Sequence, residues 1–235
     1  MRIDYIDAPK SYFEQLEVQK HEWFYEHVNK KLKKDSFVLD FGLGGGYGVR
    51  KITKTENVYA TDFNNDNKRN IPKNTKWIKY WKIWGGKVKF DAIILCHVIE
   101  HLEKPRREIY YLKRLLKKNG RLFIATPNAQ FRGTETRTFN HHHVKEYTAA
   151  MLVDLVKDYE DIFGITTDEK ALKKLREDNA RKKLLAMVDF LKLRRFLPKK
   201  RSNHQFEEEF TFKKSRHFAD CADVCIEVKI EKVPE

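Results

Sequence analysis

The feature that most constrains this chain is the stretch at residues 37–48, FVLDFGLGGGYG. A short apolar run that ends in an acidic residue and several glycines is typical of a buried strand that opens into a ligand cavity. Glycine adopts backbone angles that other residues resist, and its missing Cβ lets a ligand approach the main chain. The sequence therefore predicts a strand, a tight loop and a phosphate- or nucleoside-sized site.

Two familiar glycine loops fit this stretch poorly. The dinucleotide pattern G-x-G-x-x-G, started at Gly42 or Gly44, would need glycine where Tyr47 or Val49 stands. The phosphate loop G-x-x-x-x-G-K-[ST] cannot be placed in this segment. A glycine-rich turn in an ordinary α/β protein is the remaining alternative to a ligand loop.

Length and composition indicate the class of protein. With 235 residues, 41% of them hydrophobic, the chain is expected to form one domain with a full-sized core. Its three cysteines show no paired metal-ligand spacing, which favours a reducing, cytoplasmic setting. The first 15 residues lack the apolar core of a signal peptide, and no run approaches the roughly 20 apolar residues of a membrane span.

The charge of the chain is strongly positive. Forty-eight Lys and Arg against 34 Asp and Glu give a formal charge of +14 at pH 7. This surplus favours anionic partners such as nucleic acid, nucleotide-linked sugars or an acidic membrane face. The lysines are spread along the chain, so a solvated basic surface is the alternative interpretation.

A second acidic residue follows the glycine loop at a sequence spacing that is typical of ribose-binding carboxylates. The apolar run NVYATDF ends in Asp62, which lies 22 positions beyond Asp40. A carboxylate about 20 residues past such a loop can accept hydrogen bonds from both ribose hydroxyls. The spacing predicts that Asp62 binds a ribose.

A third segment, FDAIILCHVIEHLEKP at residues 90–105, predicts a buried strand that ends at Cys96. A helix is expected from Pro105, followed by a fifth strand over residues 120–128, GRLFIATPN. Ligands of open α/β sheets bind at the carboxyl ends of the strands. Side chains from residues 96–101 are therefore placed to meet a ligand.

These motifs together resemble class I S-adenosylmethionine (SAM) methyltransferases of the type 11/23 kind. The resemblance rests on D-x-G-x-G-x-G from Asp40, on Asp62, and on the strings HVIEHL and TPN. It implies a Rossmann-like α/β fold with a seven-stranded, mostly parallel sheet, helices on both faces and a helical insertion before the last strand. We expect a leading helix in 1–36, a cofactor core in 37–165, an insertion in 166–217 opened by a capping box at Thr166, and a closing strand in 218–235.

The resemblance implies SAM as the cofactor and assigns residues to it. Many relatives carry an acidic residue after the third strand to meet the adenine amino group, but this chain has Trp81 in that region, within an expected strand at residues 76–86. Apolar stacking is the expected substitute. The predicted cofactor residues are Asp40, Gly42, Gly44, Gly46, Asp62, Trp81 and Cys96.

The acceptor side is rich in histidine. Methyl transfer needs alignment of the acceptor and removal of its proton, and imidazole titrates near working pH. The candidate bases are His97, His101 and one of the histidines at 141–143, among which the resemblance given next selects His143.

A sharper resemblance concerns a metal. HVIEH, TPN and HHHVKEYT are similar to motifs of small-RNA 3′-terminal 2′-O-methyltransferases, which bind a divalent metal, and ubiquinone-pathway O-methyltransferases carry a comparable E-x-x-E-H string. Carried over, this pattern assigns His97, Glu100, His101 and His143 as ligands, with His97 in place of a glutamate. Three imidazoles would favour zinc, manganese, cobalt or iron over magnesium. In metal-free relatives the Glu and His of V-I-E-H-L cap the start of a helix and pack against the core, which is the alternative interpretation.

Three functions remain open from the sequence. The first is SAM-dependent transfer of a methyl group to a hydroxyl oxygen of a small-molecule or carbohydrate acceptor, possibly linked to a nucleotide. The second is metal-assisted RNA 2′-O-methylation. The third is a noncatalytic protein with the SAM fold, which the retention of Asp40 and Asp62 disfavours.

Overall fold

The chain folds around one mixed β-sheet flanked by helices. The computed structural model describes residues 12–85, 88–134, 138, 140, 142–174, 176–177, 180 and 210–231. The strands are β1 (Val38–Phe41), β2 (Val58–Thr61), β3 (Thr75–Trp77), β4 (Phe90–Cys96), β5 (Leu116–Pro127), β6 (Asp161–Thr167), β7 (Phe212–Ser215) and β8 (Asp223–Lys229). The helices are α1 (Tyr12–Lys31), α2 (Tyr80–Ile83), α3 (Pro105–Leu115), α4 (Ala129–Arg132) and α5 (Ala149–Val156).

The strand order is β3-β2-β1-β4-β5-β8-β6-β7. Strands β1 to β5 are parallel, whereas β8 runs antiparallel to both β5 and β6, and β7 runs antiparallel to β6. The direction of winding reverses between β1 and β4, which opens a crevice at their carboxyl ends. The predicted Rossmann-like, mostly parallel class I fold is confirmed, with eight strands rather than seven in the described residues.

Each face of the sheet buries its own apolar cluster. Leu39 and Phe41 of β1 pack in the cluster that includes residues of α3 and α5. Val38 packs in the opposite cluster, which includes residues of α1. Side chains alternate along a strand, so Asp40 points to the α1 face at the end of β1. The alternation thus places the acidic residue under the leading helix.

The third strand is shorter than the expected 76–86. Strand β3 ends at Trp77, and the short helix α2 begins at Tyr80. Tyr80 and Trp84 are four residues apart and both place their rings against Phe41, with centroid distances of 5.8 and 6.1 Å. Helical spacing brings these two rings close enough to contact the same Phe41 ring, whereas in a strand they would lie about 13 Å apart.

The capping box predicted at Thr166 is wrong. Thr166 belongs to β6, and its hydroxyl donates to the Asp220 carbonyl oxygen at 2.9 Å. The following helical residues begin at 169, and the Asp168 carboxylate accepts the Ala171 N–H at 2.9 Å. The cap is therefore Asp168, because its short carboxylate reaches the free N–H groups of the first turn.

The predicted insertion also contributes a strand. The four residues of β7, which lie inside 166–217, extend the sheet beyond β6 and account for the eighth strand. Residues 181–209, and with them most of the expected insertion, lie outside the described residues, as does His141. No helix within the described ranges has both the length and the apolar character to cross a membrane.

Candidate active site

The glycine loop follows β1 directly and is shaped by positive backbone angles. Gly42, Gly44 and Gly46 have φ of 106°, 53° and 72°. A Cβ on Gly42 would lie 2.3 Å from Val98 Cγ2, and one on Gly46 would lie 2.3 Å from the Asn70 carbonyl oxygen. Glycine is therefore required at both positions for conformation and for space.

Asp40 is buried beneath this loop and is only partly satisfied. Its Oδ1 accepts a hydrogen bond from the Tyr25 hydroxyl of α1 at 2.6 Å. Its Oδ2 is buried and has no hydrogen-bond partner among the described residues. Burial raises the pKa of Asp40 to about 7, although the Tyr25 hydrogen bond works in the opposite direction. A buried acceptor without a donor indicates a place where a ligand donor binds.

Asp62 fixes the loop from the neighbouring strand. Its Oδ2 accepts the Gly44 N–H at 2.9 Å, and its Oδ1 accepts the Asn64 N–H at 2.9 Å. The Asn70 side-chain amide donates to the Gly44 carbonyl oxygen at 2.8 Å. A carboxylate has about four acceptor sites, so Asp62 keeps lone pairs for ligand hydroxyls.

Aromatic rings line the side of the loop nearest α2. Phe63, next to Asp62, packs 4.3 Å from the Tyr80 ring and 5.7 Å from the Phe41 ring. Trp81 instead lies on the outer side of α2, 56% exposed, with the Lys79 ammonium 5.3 Å from its ring. The contact of Trp81 with a cofactor stays a prediction, and Phe63 is an aromatic residue of this wall that sequence reasoning did not select.

Cys96 and His97 stand at the carboxyl end of β4. Burial raises the pKa of the Cys96 thiol well above its usual value, which keeps it neutral. His97 has a left-handed backbone with φ of 55°, a conformation that costs a non-glycine residue about 1–3 kcal/mol. Its Nε2 lies 2.7 Å from Oδ2 of Asp223, and a carboxylate only accepts, so Nε2 donates and fixes the ring.

The partner of His97 belongs to a buried charge network. Asp223 is fully buried, and its Oδ1 lies 2.7 Å from the ammonium of Lys20, which is equally buried on α1. Burial alone would raise the pKa of Asp223, but His97 and Lys20 outweigh it and hold that pKa far below its ordinary value. Asp223 is therefore a permanent carboxylate that positions the imidazole.

Glu100 is also fully buried beside His97. Its Oε2 accepts from the Thr126 hydroxyl at 3.0 Å. Its Oε1 is buried without a hydrogen-bond partner in the described part of the chain, and it lies 3.6 Å from His97 Nδ1. That distance is too long for a hydrogen bond, so two acceptor atoms face each other across a gap.

His101 and His143 complete a second group with Glu100. The His101 Nδ1 lies 2.9 Å from the His142 carbonyl oxygen, and the two imidazole rings of His101 and His143 are 4.9 Å apart. The His143 Nδ1 lies 2.7 Å from Oε1 of the buried Glu146. Burial lowers the pKa of His101, which favours its neutral form. One ligand atom from each of Glu100, His101 and His143 lies within 4.8 Å of the others.

His97, by contrast, groups with residues that the sequence did not single out. One ligand atom each from His97, Glu17 and His21 lies within 4.8 Å of the others. The His21 and His97 rings are 4.0 Å apart. Glu17, His21 and Tyr25 recur every four residues along α1 and share one face. Because α1 carries many other polar residues, this spacing alone did not single them out, and their role depends on packing against the end of β4.

Comparison with known proteins identifies this arrangement. The family model of the methyltransferase domain matches residues 14–160. The chain belongs to this family of SAM-dependent methyltransferases. Among curated protein sequences, none matches this methyltransferase.

Solved structures with the same fold include N-methyltransferases. A SAM-dependent methyltransferase from Thermotoga maritima, a possible histamine N-methyltransferase, shares 14% identity, with a TM-score of 0.58 and 94% of each chain covered. The N-methyltransferase NodS from Bradyrhizobium japonicum, in complex with S-adenosyl-L-homocysteine, shares 10% identity, with a TM-score of 0.56 and 94% and 89% covered. A complex of the Haloferax volcanii Trm112 methyltransferase activator with a methyltransferase contains a chain that matches at 14% identity and a TM-score of 0.60. The match covers 100% of the present chain and 100% of that chain. At these identities the likeness concerns the fold alone.

The residues of this methyltransferase fit its cofactor. Asp40 offers a buried oxygen that has no hydrogen-bond partner in the described part of the chain, and Asp62 keeps lone pairs beside it at the glycine loop. SAM carries ribose hydroxyls and an ammonium group, which are the donors that such a carboxylate pair requires. The specific contacts of Asp40, Asp62, Cys96 and the glycines with SAM stay predictions.

Proposed function

We propose that this methyltransferase transfers the methyl group of SAM to a hydroxyl oxygen of a small-molecule or carbohydrate acceptor. The observation that carries the proposal is the tautomer of His97, which its hydrogen bond to Asp223 fixes. Asp223 holds its Nε2–H, so Nδ1 keeps its lone pair at the carboxyl end of β4. An imidazole fixed in this tautomer is equipped to take the proton of a hydroxyl group.

The proton then has a defined destination. The methyl group moves from the cofactor sulfur to the acceptor oxygen, and the hydroxyl proton moves to Nδ1 of His97. The resulting imidazolium lies between Asp223 and Oε1 of Glu100, an oxygen 3.6 Å from Nδ1 that has no hydrogen-bond partner among the described residues. Both carboxylates stabilise the cation electrostatically.

The charge of the protein supports an anionic acceptor. The formal charge of +14 attracts phosphorylated or nucleotide-linked substrates over distances near the Debye length. An amine acceptor is the alternative suggested by the two N-methyltransferases of similar fold. The product distinguishes the two, because a methyl ether and a methylamine differ in mass-spectrometric fragmentation.

The test is transfer of labelled methyl from SAM to a panel of nucleotide-linked sugars, sugar phosphates, catechols and amines. We expect methyl ethers, and we expect His97→Asn to lower kcat by about 10²–10⁴-fold without weakening SAM binding. His217→Asn is the matched control, since the His217 side chain is 76% exposed. Exclusive methylation of amines, or full activity of His97→Asn, would contradict the proposal.

A second candidate is metal-assisted methylation of an RNA 2′-hydroxyl, and one observation favours it. Glu100, His101 and His143 bring their ligand atoms within 4.8 Å, and Oε1 of Glu100 lacks a partner among the described residues. These residues fit a zinc-class ion, with His97 beside them rather than among them. Such an ion would hold a ribose diol and lower the pKa of its hydroxyl.

Salt dependence separates this candidate from the first one. Several phosphate contacts would give a steep loss of RNA affinity with rising salt. We would measure binding of a short single-stranded RNA over a salt series, with the metal content of the protein determined in parallel. Shallow, weak binding by a metal-free protein that still methylates small hydroxyl compounds would exclude the RNA candidate.

A further inference from the structure

The leading helix brings a second group of potential ligands into the site. Glu17 and His21 of α1 meet His97 from the end of β4, with one ligand atom of each within 4.8 Å of the others. This group shares no residue with the cluster of Glu100, His101 and His143. The resemblance of the sequence to metal-dependent relatives did not involve α1.

His21 is the decisive member of this group. It is 8% exposed, and its Nδ1 lies 3.0 Å from the Tyr47 hydroxyl. Its Nε2 is buried, has no hydrogen-bond partner among the residues described, and lies 3.9 Å from Oε2 of Glu17. When Nδ1–H donates to Tyr47, Nε2 keeps a lone pair 3.9 Å from Glu17. A metal-binding histidine is typically held by its second nitrogen in this way.

The distances suit a small ion. Two ligands about 2.1 Å from a tetrahedral ion lie about 3.4 Å apart. The 3.9 Å between Glu17 and His21 therefore needs about 0.5 Å of side-chain movement. Glu17 would make that movement, because its side chain is 23% exposed, whereas His21 and His97 are held by Tyr47 and Asp223. Both oxygens of Glu17 accept from the Lys20 ammonium at 2.9 and 3.0 Å, so an ion would share this carboxylate with Lys20.

The charges around this group also leave room for a cation. The Lys20 ammonium is paired with Asp223 at 2.7 Å and with both oxygens of Glu17 at 2.9 and 3.0 Å, and Arg132 lies 4.0 Å from Glu17. The network contains more carboxylates than cations: Glu17, Glu100, Glu146 and Asp223 against Lys20 and Arg132. With neutral histidines, this network carries two negative charges. A divalent ion would cancel both.

We propose that Glu17, His21 and His97 form a binding site for a divalent transition metal of the zinc class. Two imidazoles and one carboxylate are ligands that favour such an ion over magnesium or calcium. Three protein ligands leave a fourth position open to water. Because Asp223 holds Nε2–H of His97, the ion would take the Nδ1 lone pair. Metal binding and the proton transfer proposed above therefore exclude each other, and a bound ion would inhibit the methyltransferase. The site couples α1 to the end of β4, so the ion also fixes the leading helix over the active site.

The experiment is a titration of the chelator-treated, untagged protein with Zn²⁺ and with Co²⁺. Calorimetry gives the stoichiometry, and the visible spectrum of Co²⁺ reports nitrogen ligation in a tetrahedral site. We expect His21→Asn and Glu17→Gln to remove one equivalent or to weaken it at least about 10-fold. His217→Asn, an exposed histidine paired with Asp220 at 3.4 Å, serves as the control and keeps wild-type binding. SAM affinity and thermal melting show that each variant is folded.

His143→Asn distinguishes this site from its neighbour. It removes a ligand of the Glu100 cluster, and we expect it to leave the Co²⁺ spectrum that depends on His21 unchanged. Absence of metal binding by the wild-type protein overturns the proposal. Binding that survives in both His21→Asn and Glu17→Gln but is lost in His143→Asn also overturns it, because the ion then belongs to the other cluster. SAM binding is measured independently, so a negative metal result leaves the methyltransferase function standing.

Discussion

Replacing Asp40 by asparagine should stabilise the ligand-free protein at alkaline pH while weakening SAM binding. Burial raises the pKa of Asp40 from its ordinary value of 3.8 to about 7. Between these two values the folded protein holds a proton that the unfolded chain releases. The free energy of unfolding therefore falls as pH rises through this window, and the loss is complete above about pH 7.

The size of this effect follows from the two pKa values. One pKa unit corresponds to 1.36 kcal/mol, so the full difference is about 4 kcal/mol, of which about 3 kcal/mol develops between about pH 5 and about pH 8. The asparagine side chain of the variant would remain neutral throughout. We therefore expect the unfolding free energy of Asp40→Asn to gain up to about 3 kcal/mol on the wild type over that interval.

Urea unfolding at the two pH values, without SAM, measures this gain. Asp66→Asn is the control, because Asp66 is an exposed residue of the turn at 65–70. If wild type and Asp40→Asn lose stability in parallel between the two pH values, Asp40 is already ionised in the folded protein and the reasoning is refuted. In the same samples, SAM affinity at about pH 8 should fall at least about 10-fold in Asp40→Asn, since one charged hydrogen bond contributes about 1.5–3 kcal/mol.

Three further perturbations test the site. Gly42→Ala and Gly46→Ala should each lose about 1–3 kcal/mol of stability and most SAM affinity, whereas Gly85→Ala, whose Cβ would approach only the Lys82 carbonyl oxygen at 3.4 Å, should behave as wild type in urea unfolding and calorimetry. In Asp62→Asn the side chain has one acceptor oxygen instead of two, so it can no longer accept from both the Gly44 and the Asn64 N–H groups. We expect the affinity for SAM to fall at least about 10-fold, and an unchanged affinity would contradict a role of Asp62 in the loop. Lys20→Met leaves Asp223 buried without its ammonium partner and should cost about 3–5 kcal/mol of unfolding free energy, a loss that Lys157→Met, 64% exposed, should not show.

Much of the fold could be predicted from local patterns in the sequence. The apolar runs that end in Asp40 and Cys96 are strands β1 and β4. Thr148 caps α5 as its position before an apolar helix indicated, accepting the Met151 N–H. These features depend on residues close in sequence, so local periodicity and turn chemistry are sufficient to find them.

The rest depended on packing between distant segments. The run of residues 76–86 has a β-like composition, yet Tyr80 and Trp84 turn into a helix because both rings pack on Phe41. Thr166 has the sequence of a cap, but pairing with β7 extends β6 through it. Tertiary contacts override short-range propensity in both places.

The residues of the site also fall into those that local spacing predicted and those that only long-range contacts bring together. Asp40 and Asp62 were found from spacing, and the structure places both at the glycine loop. His97 was predicted to join Glu100, His101 and His143, and its Nδ1 lies 3.6 Å from Glu100. One of its ligand atoms also groups with Glu17 and His21, so the predicted four-residue metal site stays a prediction. The contact between His97 and Asp223 joins residues 126 positions apart, and no local pattern contains it.

The most direct measurement is a calorimetric titration of SAM and S-adenosylhomocysteine into the wild-type protein, repeated on Asp40→Asn and Asp62→Asn. A SAM-dependent methyltransferase should bind one molecule per chain, with affinity reduced in both variants and unchanged in Asp66→Asn. Since a ligand that binds only the folded state stabilises it, saturating SAM should also raise the melting temperature. Absence of both heat and thermal stabilisation at millimolar SAM would contradict the assigned cofactor site and favour a noncatalytic protein with this fold.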